Sequence, residues 1–179
     1  RGGNGGGAMV SARHLANWGS VVTVVLTREP EAYDGIPAHQ LEILRKADVR
    51  VACAADLNQN LRCDLVVDGL IGYSLSGAPR GTTAKMIGWA NAQDAPILSL
   101  DTPSGVDVTT GEVYTPAIQA CATMTLALPK VGLRAPTAQP FVGELHLADI
   151  SVPPVLYARM GLAPSLIFAE NAILRISSS

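Results

Sequence analysis

The chain has 179 residues, a length that suits one domain with its own core. Hydrophobic residues make up 48% and charged residues 16%, which excludes a globally disordered chain. Lys and Arg number 13 against 15 Asp and Glu, a net charge of −2 that offers no basic excess for a phosphate backbone, so no nucleic-acid partner is expected.

Residues 2–8 are glycine-rich and lead into a helix predicted over 6–18. A β-branched run at 21–26 reads as the first visible strand, followed by a helix at 39–47 and strands at 49–52 and 65–68. Next come a helix at 82–91, with Ala84, Ile87 and Ala90 at helical spacing, and strands at 97–100, 123–128 and 144–149. The strand runs are continuously apolar rather than alternating, as in strands covered on both faces. The fold class is therefore α/β, with a mostly parallel, doubly wound sheet. A terminal helix is predicted over 151–162, opened by Pro153 and Pro154, so the domain is read as 1–162 with a C-terminal extension at 163–179. No apolar run approaches the roughly 18 residues of a membrane span, and no basic segment followed by an apolar one marks a secretory leader. Cys53, Cys63 and Cys121 are odd in number and lack CxxC spacing. They read as buried thiols of a reducing compartment, the cytoplasm.

In open parallel sheets ligands bind outside the carboxyl ends of the strands, which directs attention to the loops there. The glycines of 2–8 let backbone amides approach an anion at a helix N-terminus, although a merely flexible terminus has the same composition. A cradle of this kind follows a strand. None precedes Arg1, so either the first strand lies upstream or the cradle reading fails. Asp68 opens a second loop running to Gly77, whose glycines permit tight turns and whose Ser74 and Ser76 offer hydroxyls; its alternative is a plain surface loop. In the third loop, 101–107, Pro103 fixes the backbone and Gly105 relieves it around Asp101 and Ser104. Asp101 can donate or accept a proton if burial raises its pKa, or it can simply cap the strand end. His14, His39 and His146 pair with nothing at metal-ligand spacing and read as structural or exposed. Lys130, beyond the fifth strand, could meet a phosphate but reads as solvated.

Together these segments resemble the YjeF N-terminal domain family, the NAD(P)H-hydrate epimerases. The family's Gly-Asn-Asn-Gly-Gly-Asp-Gly loop before an Ala-Arg-His-Leu helix stands here as Gly2-Gly3-Asn4-Gly5-Gly6-Gly7-Ala8 before Ala12-Arg13-His14-Leu15. Its Asp-x-x-x-Gly-x-Gly/Ser-x-x-Gly pattern is similar to 68–77, and its Asp-x-Pro-Ser-Gly-x-Asp pattern to 101–107. Further likeness runs through Ala95-Pro96-Ile97-Leu98, Leu128-Pro129-Lys130-Val131-Gly132-Leu133 and Gly143-Glu144-Leu145, and the resemblance spans 2–162 in unbroken order.

The resemblance implies a Rossmann-like three-layer α/β/α sandwich and an isomerase of nicotinamide cofactor repair, interconverting the R and S epimers of NADHX and NADPHX. By the same resemblance Asn4, Asp68 and Ser104 are ligands of a potassium ion, K+. Gly3, Asn4, Gly5, Gly6 and Gly7 correspond to one substrate-binding loop. Gly72, Tyr73, Ser74, Leu75, Ser76, Gly77 and Ala78 correspond to another, and Asp101 to the catalytic acid that contacts substrate. A homodimer and a functional partnership with an NAD(P)HX dehydratase are implied as well. Gly3 replaces the family's first Asn and Gly7 its Asp, removing hydrogen-bond partners worth about 1–3 kcal/mol each in a buried site. The alternative is a catalytically eroded nucleotide-binding or scaffold domain of the same fold. An NAD-dependent dehydrogenase is disfavoured, because no acid in the required strand-end context follows the glycine loop, Glu29 being the nearest candidate.

Overall fold

The computed structural model describes residues 3–57, 61–162 and 168–177. Helix α1 (Gly3–Asn17) leads to β1 (Thr23–Leu26), α2 (Gly35–Lys46) and β2 (Arg50–Cys53). β1 and β2 pair in parallel, Thr23 beside Arg50 and Leu26 beside Cys53. Leu41 and Leu44, about one turn apart on α2, meet Met9 and Ala12 of α1 together with Leu26 and Val49 in one core cluster. Glu42 and Lys46 pair at 2.7 Å on the exposed face of α2, an i,i+4 contact worth only a few tenths of a kcal/mol.

The larger sheet contains β3 (Val66–Asp68), β4 (Ile97–Leu100), β5 (Ala122–Leu126), β6 (Glu144–Ala148) and β7 (Ile173–Arg175), hydrogen-bonded in that order. The first four run parallel and β7 runs antiparallel to β6. Between β3 and β4 the chain forms α3 (Gly81–Asn91), whose Ile87 and Ala90 pack with Ile97, Ile118 and Ala120. Two short helices, α4 (Gln139–Val142) and α5 (Pro154–Arg159), flank β6 in sequence. Val142 and Leu145 join Val106, Leu133 and Ala138 in a third cluster that anchors the long connection after β4.

The α/β class with mostly parallel strands is the one predicted. Among the described residues, hydrogen bonding divides the strands into two sheets rather than one. The extension supplies β7, a three-residue edge strand too short to announce itself by periodicity. The terminal helix contracts to Pro154–Arg159, and Gly161 just beyond it takes a left-handed φ of 72°. The cysteines do not enter the core: Cys53 and Cys63 are half-buried and Cys121 is exposed, because they fall at or beyond strand ends. Among the described residues no helix is long and apolar enough to cross a membrane.

The largest difference concerns the glycine-rich segment. The helix predicted from Gly6 begins already at Gly3, so residues 3–5 are helical instead of a loop. Glycine inside a helix is disfavoured by about 1 kcal/mol relative to alanine, so local preference alone does not produce this. Tertiary contact accompanies it: Gly69, which lacks a side chain, lets the first turns of α1 lie directly on the loop after β3, with Ala8 against it, whereas a Cβ at Gly3, Gly5, Gly6 or Gly7 would meet nothing closer than 3.6 Å.

Candidate functional site

β3 and β4 end side by side, and their register places Asp68 beside Ser99. Asp68 is only 3% exposed, and four donors converge on its carboxylate. Oδ1 accepts the Leu70 N–H at 3.1 Å and the Ser104 hydroxyl at 2.7 Å. Oδ2 accepts the Ser99 hydroxyl at 2.9 Å and the Ser104 N–H at 2.8 Å. The Ser104 hydroxyl oxygen in turn accepts the Ile71 N–H at 2.9 Å. These bonds sew the loop after β3 to the loop after β4. Burial pushes the Asp68 carboxyl above its ordinary range, while the hydrogen bonds from Ser104, Leu70 and Ser99 pull it back.

Asp101 follows β4 and has a left-handed φ of 67°, a conformation that a residue with a Cβ adopts only where its surroundings hold it. Its N–H donates to the Met124 carbonyl at 2.8 Å, tying it to β5. Its carboxylate is almost wholly buried. Oδ2 accepts the Tyr73 N–H at 3.2 Å, and Oδ1 accepts from the Lys130 ammonium at 2.6 Å. Lys130 is therefore not solvated as predicted: its side chain is 19% exposed and donates also to the Leu126 carbonyl at 2.8 Å.

Two glycines let α1 reach this floor. A Cβ at Gly69 would lie 2.4 Å from the Cβ of Ala8. One at Gly72 would lie 3.0 Å from the Cβ of Asn4 and 3.3 Å from Oδ2 of Asp101. Asn4, Gly72 and Asp101 thus meet at one point, although they come from three separate segments. The Asn4 amide nitrogen is buried there without a hydrogen-bond partner. An unsatisfied buried donor costs about 1–3 kcal/mol, so this amide is poised for an acceptor that a ligand can bring.

The remaining predicted positions are less concentrated. A Cβ at Gly5 would lie 4.0 Å from the Gly69 carbonyl oxygen, whereas Gly6 is buried facing Ile36, at the start of α2, and away from the strand ends. Gly3 and Gly7 face open space. Tyr73, Ser74, Ser76 and Ala78 are exposed, and Leu75 and Gly77 are half-buried, so this loop forms a rim over the buried carboxylates. His14 packs its ring against Trp18, His39 is exposed, and His146 lies 3.4 Å from Glu144; none joins the site. Sequence reasoning missed Ser99, although a lone hydroxyl in the apolar run 97–100 is the signal that finds it. It also missed the backbone donors of Ile71 and Tyr73, which no side-chain pattern encodes.

Among the described residues no group of three or more His, Cys, Asp or Glu gathers as a metal centre. Asn4, Asp68 and Ser104 are instead hard oxygen donors of the kind an alkali cation accepts. The fit is one of charge, because the hydrogen-bond donors to Asp68 are all neutral. An ion placed there would share oxygens that already accept two hydrogen bonds each.

Residues 1–132 match the family described as YjeF-related protein N-terminus. Over 161 residues the chain is 41% identical to a protein of Dehalogenimonas lykanthroporepellens named NAD(P)H-hydrate epimerase, covering 90% of this chain and 63% of that one. It is 37% identical over 166 residues to a Moorella thermoacetica protein named bifunctional NAD(P)H-hydrate repair enzyme Nnr, covering 88% of this chain but 31% of the relative. The chain therefore spans less than two thirds of either relative's length. The crystal structure of the yeast protein ynu0 (YNL200c) superposes with a TM-score of 0.76 at 21% identity, covering 98% of this chain and 74% of the yeast one, a likeness of fold.

Proposed function

Because the chain belongs to the YjeF-related protein N-terminus family, we propose that it is an NAD(P)H-hydrate epimerase of cytoplasmic cofactor repair. The observation that carries this reading is the meeting of the Asp101 carboxylate, Gly72 and the unpartnered Asn4 amide at the ends of parallel strands. Dinucleotides bind at such strand ends in Rossmann-like folds. The α1 N-terminus and the rim 72–78 then hold the substrate over the buried acid.

The carbon to be inverted carries a hydroxyl and is bonded to the ring nitrogen. Its configuration is lost if the hydroxyl proton moves to the Asp101 carboxylate while the carbon–nitrogen bond breaks, the electron pair passing to nitrogen and the oxygen becoming a carbonyl. Asp101 then hands the proton to nitrogen. Rotation and re-addition from the other face, with the proton movements reversed, produce the opposite epimer, so the cycle needs no oxidant or reductant. A single buried carboxylate suffices for both proton movements. Asn4, Asp68 and Ser104 would hold potassium, which would supply positive charge beside the Asp68 carboxylate. The relatives named bifunctional fit a division of labour in which a dehydratase acts on the hydrate epimer released here.

Incubation with (R)-NADHX is expected to accelerate formation of the S epimer above the spontaneous rate, and Asp101→Asn to abolish the gain while the fold persists, as followed by chromatography and circular dichroism. No acceleration by freshly prepared protein would sink the reading. The bare positions Gly3 and Gly7 favour the second reading, an eroded nucleotide-binding domain. Calorimetric binding of nucleotide without turnover would identify it.

A further inference from the structure

β4 and β5 end alike. After Leu100, Asp101 takes φ 67° and the Thr102 N–H reaches back to the Leu100 carbonyl at 2.8 Å; after Leu126, Ala127 takes φ 65° and the Leu128 N–H reaches back to the Leu126 carbonyl at 2.8 Å. Such tight left-handed turns are rare and strained for residues with a Cβ. Two of them on paired strands must be held from outside. The second is held twice: the Ala127 N–H donates to the Ala148 carbonyl at 3.0 Å, and the Tyr157 hydroxyl donates to the Ala127 carbonyl at 3.2 Å. The turn folds the chain back through Pro129 and returns the Lys130 ammonium over the strand end it has just left, onto Leu126 and Asp101.

We propose that Lys130 is a positioning residue for Asp101, one that the twin turn exists to place. The ammonium holds Oδ1 in a short charged bond at 2.6 Å. Oδ2 has only the longer bond from the Tyr73 N–H, at 3.2 Å, and is the oxygen beside Gly72 and Asn4. Lys130 therefore selects which oxygen faces substrate and stops the carboxylate rotating. Its kinetic consequence rests on the epimerase reading, but its structural consequence does not.

The test compares the wild-type protein with Lys130→Met and Lys130→Arg in two measurements. Epimerisation of (R)-NADHX is followed at varied substrate. The Asp101 carboxyl carbon is observed by NMR in protein labelled at aspartate carboxyls, its signal identified by its loss in Asp101→Asn. Lys130→Met is expected to lower kcat by roughly 10- to 100-fold, the effect of losing a charged hydrogen bond that orients a reacting group, with KM changed by less than about threefold. Lys130→Arg, which restores the charge, is expected to recover most of the loss, and the Asp101 signal to move in the Met variant and return in the Arg variant. With active wild-type protein, an unchanged kcat in folded Lys130→Met overturns the proposal whatever KM does. If the wild-type protein gives no acceleration, the epimerase reading fails and the Asp101 signal alone decides, a shift upholding the positioning role and a constant signal overturning it. Should Lys130→Met not fold, Lys130→Gln, which keeps a donor without charge, replaces it under the same criteria.

Discussion

Asp68 closes β3 and Asp101 follows the neighbouring β4, and both carboxylates are almost wholly buried, at 3% and 5% exposure. Their partners differ in kind. Asp68 accepts four hydrogen bonds from neutral donors, three of them from residues of the adjacent strand and its loop, so its geometry is fixed and its charge is not balanced. Asp101 accepts one bond from a backbone amide and one from an ammonium, so its charge is balanced while Oδ2 keeps room for another partner. Residue type and place in the sheet are shared; the donors decide that one carboxylate fastens loops while the other is available for chemistry.

The comparison breaks most sharply at Asp68. Replacing it with Ala orphans the Ser99 hydroxyl and the Leu70 and Ser104 amides and leaves the Ser104 hydroxyl only the Ile71 carbonyl at 3.4 Å to donate to, each lost bond worth about 1–3 kcal/mol when buried, with partial relief from removing a buried charge. Denaturant unfolding is expected to show a loss of about 3–5 kcal/mol for Asp68→Ala. Asp101→Asn, whose residue type tolerates the left-handed region, should lose about 1 kcal/mol or less. Equal losses at the two positions would erase the distinction between fastener and reactant.

A smaller effect is expected at Gly69. An added methyl would stand 2.4 Å from the Ala8 side chain, so α1 must lift from the loop. Gly69→Ala should destabilise the fold by about 1–3 kcal/mol, the range for overpacking, and reduce substrate binding more than it perturbs Asp101, as calorimetry and kinetics can show. Retention of full stability and binding would mean that the close approach of α1 is not needed to build the site.

Much of this was legible in the residues. Continuous apolar runs at 65–68 and 97–100 located the strands, and the rule that ligands sit at carboxyl strand ends drew attention to Asp68, Asp101 and Ser104. The helical state of Gly3–Gly5, ahead of the helix predicted from Gly6, was not legible, because glycine signals a loop wherever local preference dominates, and here the packing of α1 on Gly69 accompanies the longer helix. Lys130 was equally hidden: a lysine after a proline resembles any solvated lysine until the turn at Ala127 carries it back across the sheet. β7 escaped because three residues carry too little pattern, although its pairing with β6 is unambiguous.

The finest distinction between the two carboxylates lies in how Asp68 responds to pH. Burial raises its folded pKa above the unfolded value, so its protonated form is the one the fold favours. Its contribution to stability is therefore fully present below the unfolded pKa and is lost as pH rises through the folded one. The stability advantage of the wild-type protein over Asp68→Asn is expected to shrink from acid toward neutral pH in potassium-free buffer. A potassium ion at Asn4, Asp68 and Ser104 needs the ionised form. Potassium chloride, compared with choline chloride at equal ionic strength, should then restore part of that advantage near neutrality and none in acid. A pH-independent difference would show that the hydrogen bonds to Asp68 cancel its burial, and one that grows toward neutral pH that they outweigh it, whereas a shrinking difference that ignores potassium would leave the carboxylate a fastener without a cation.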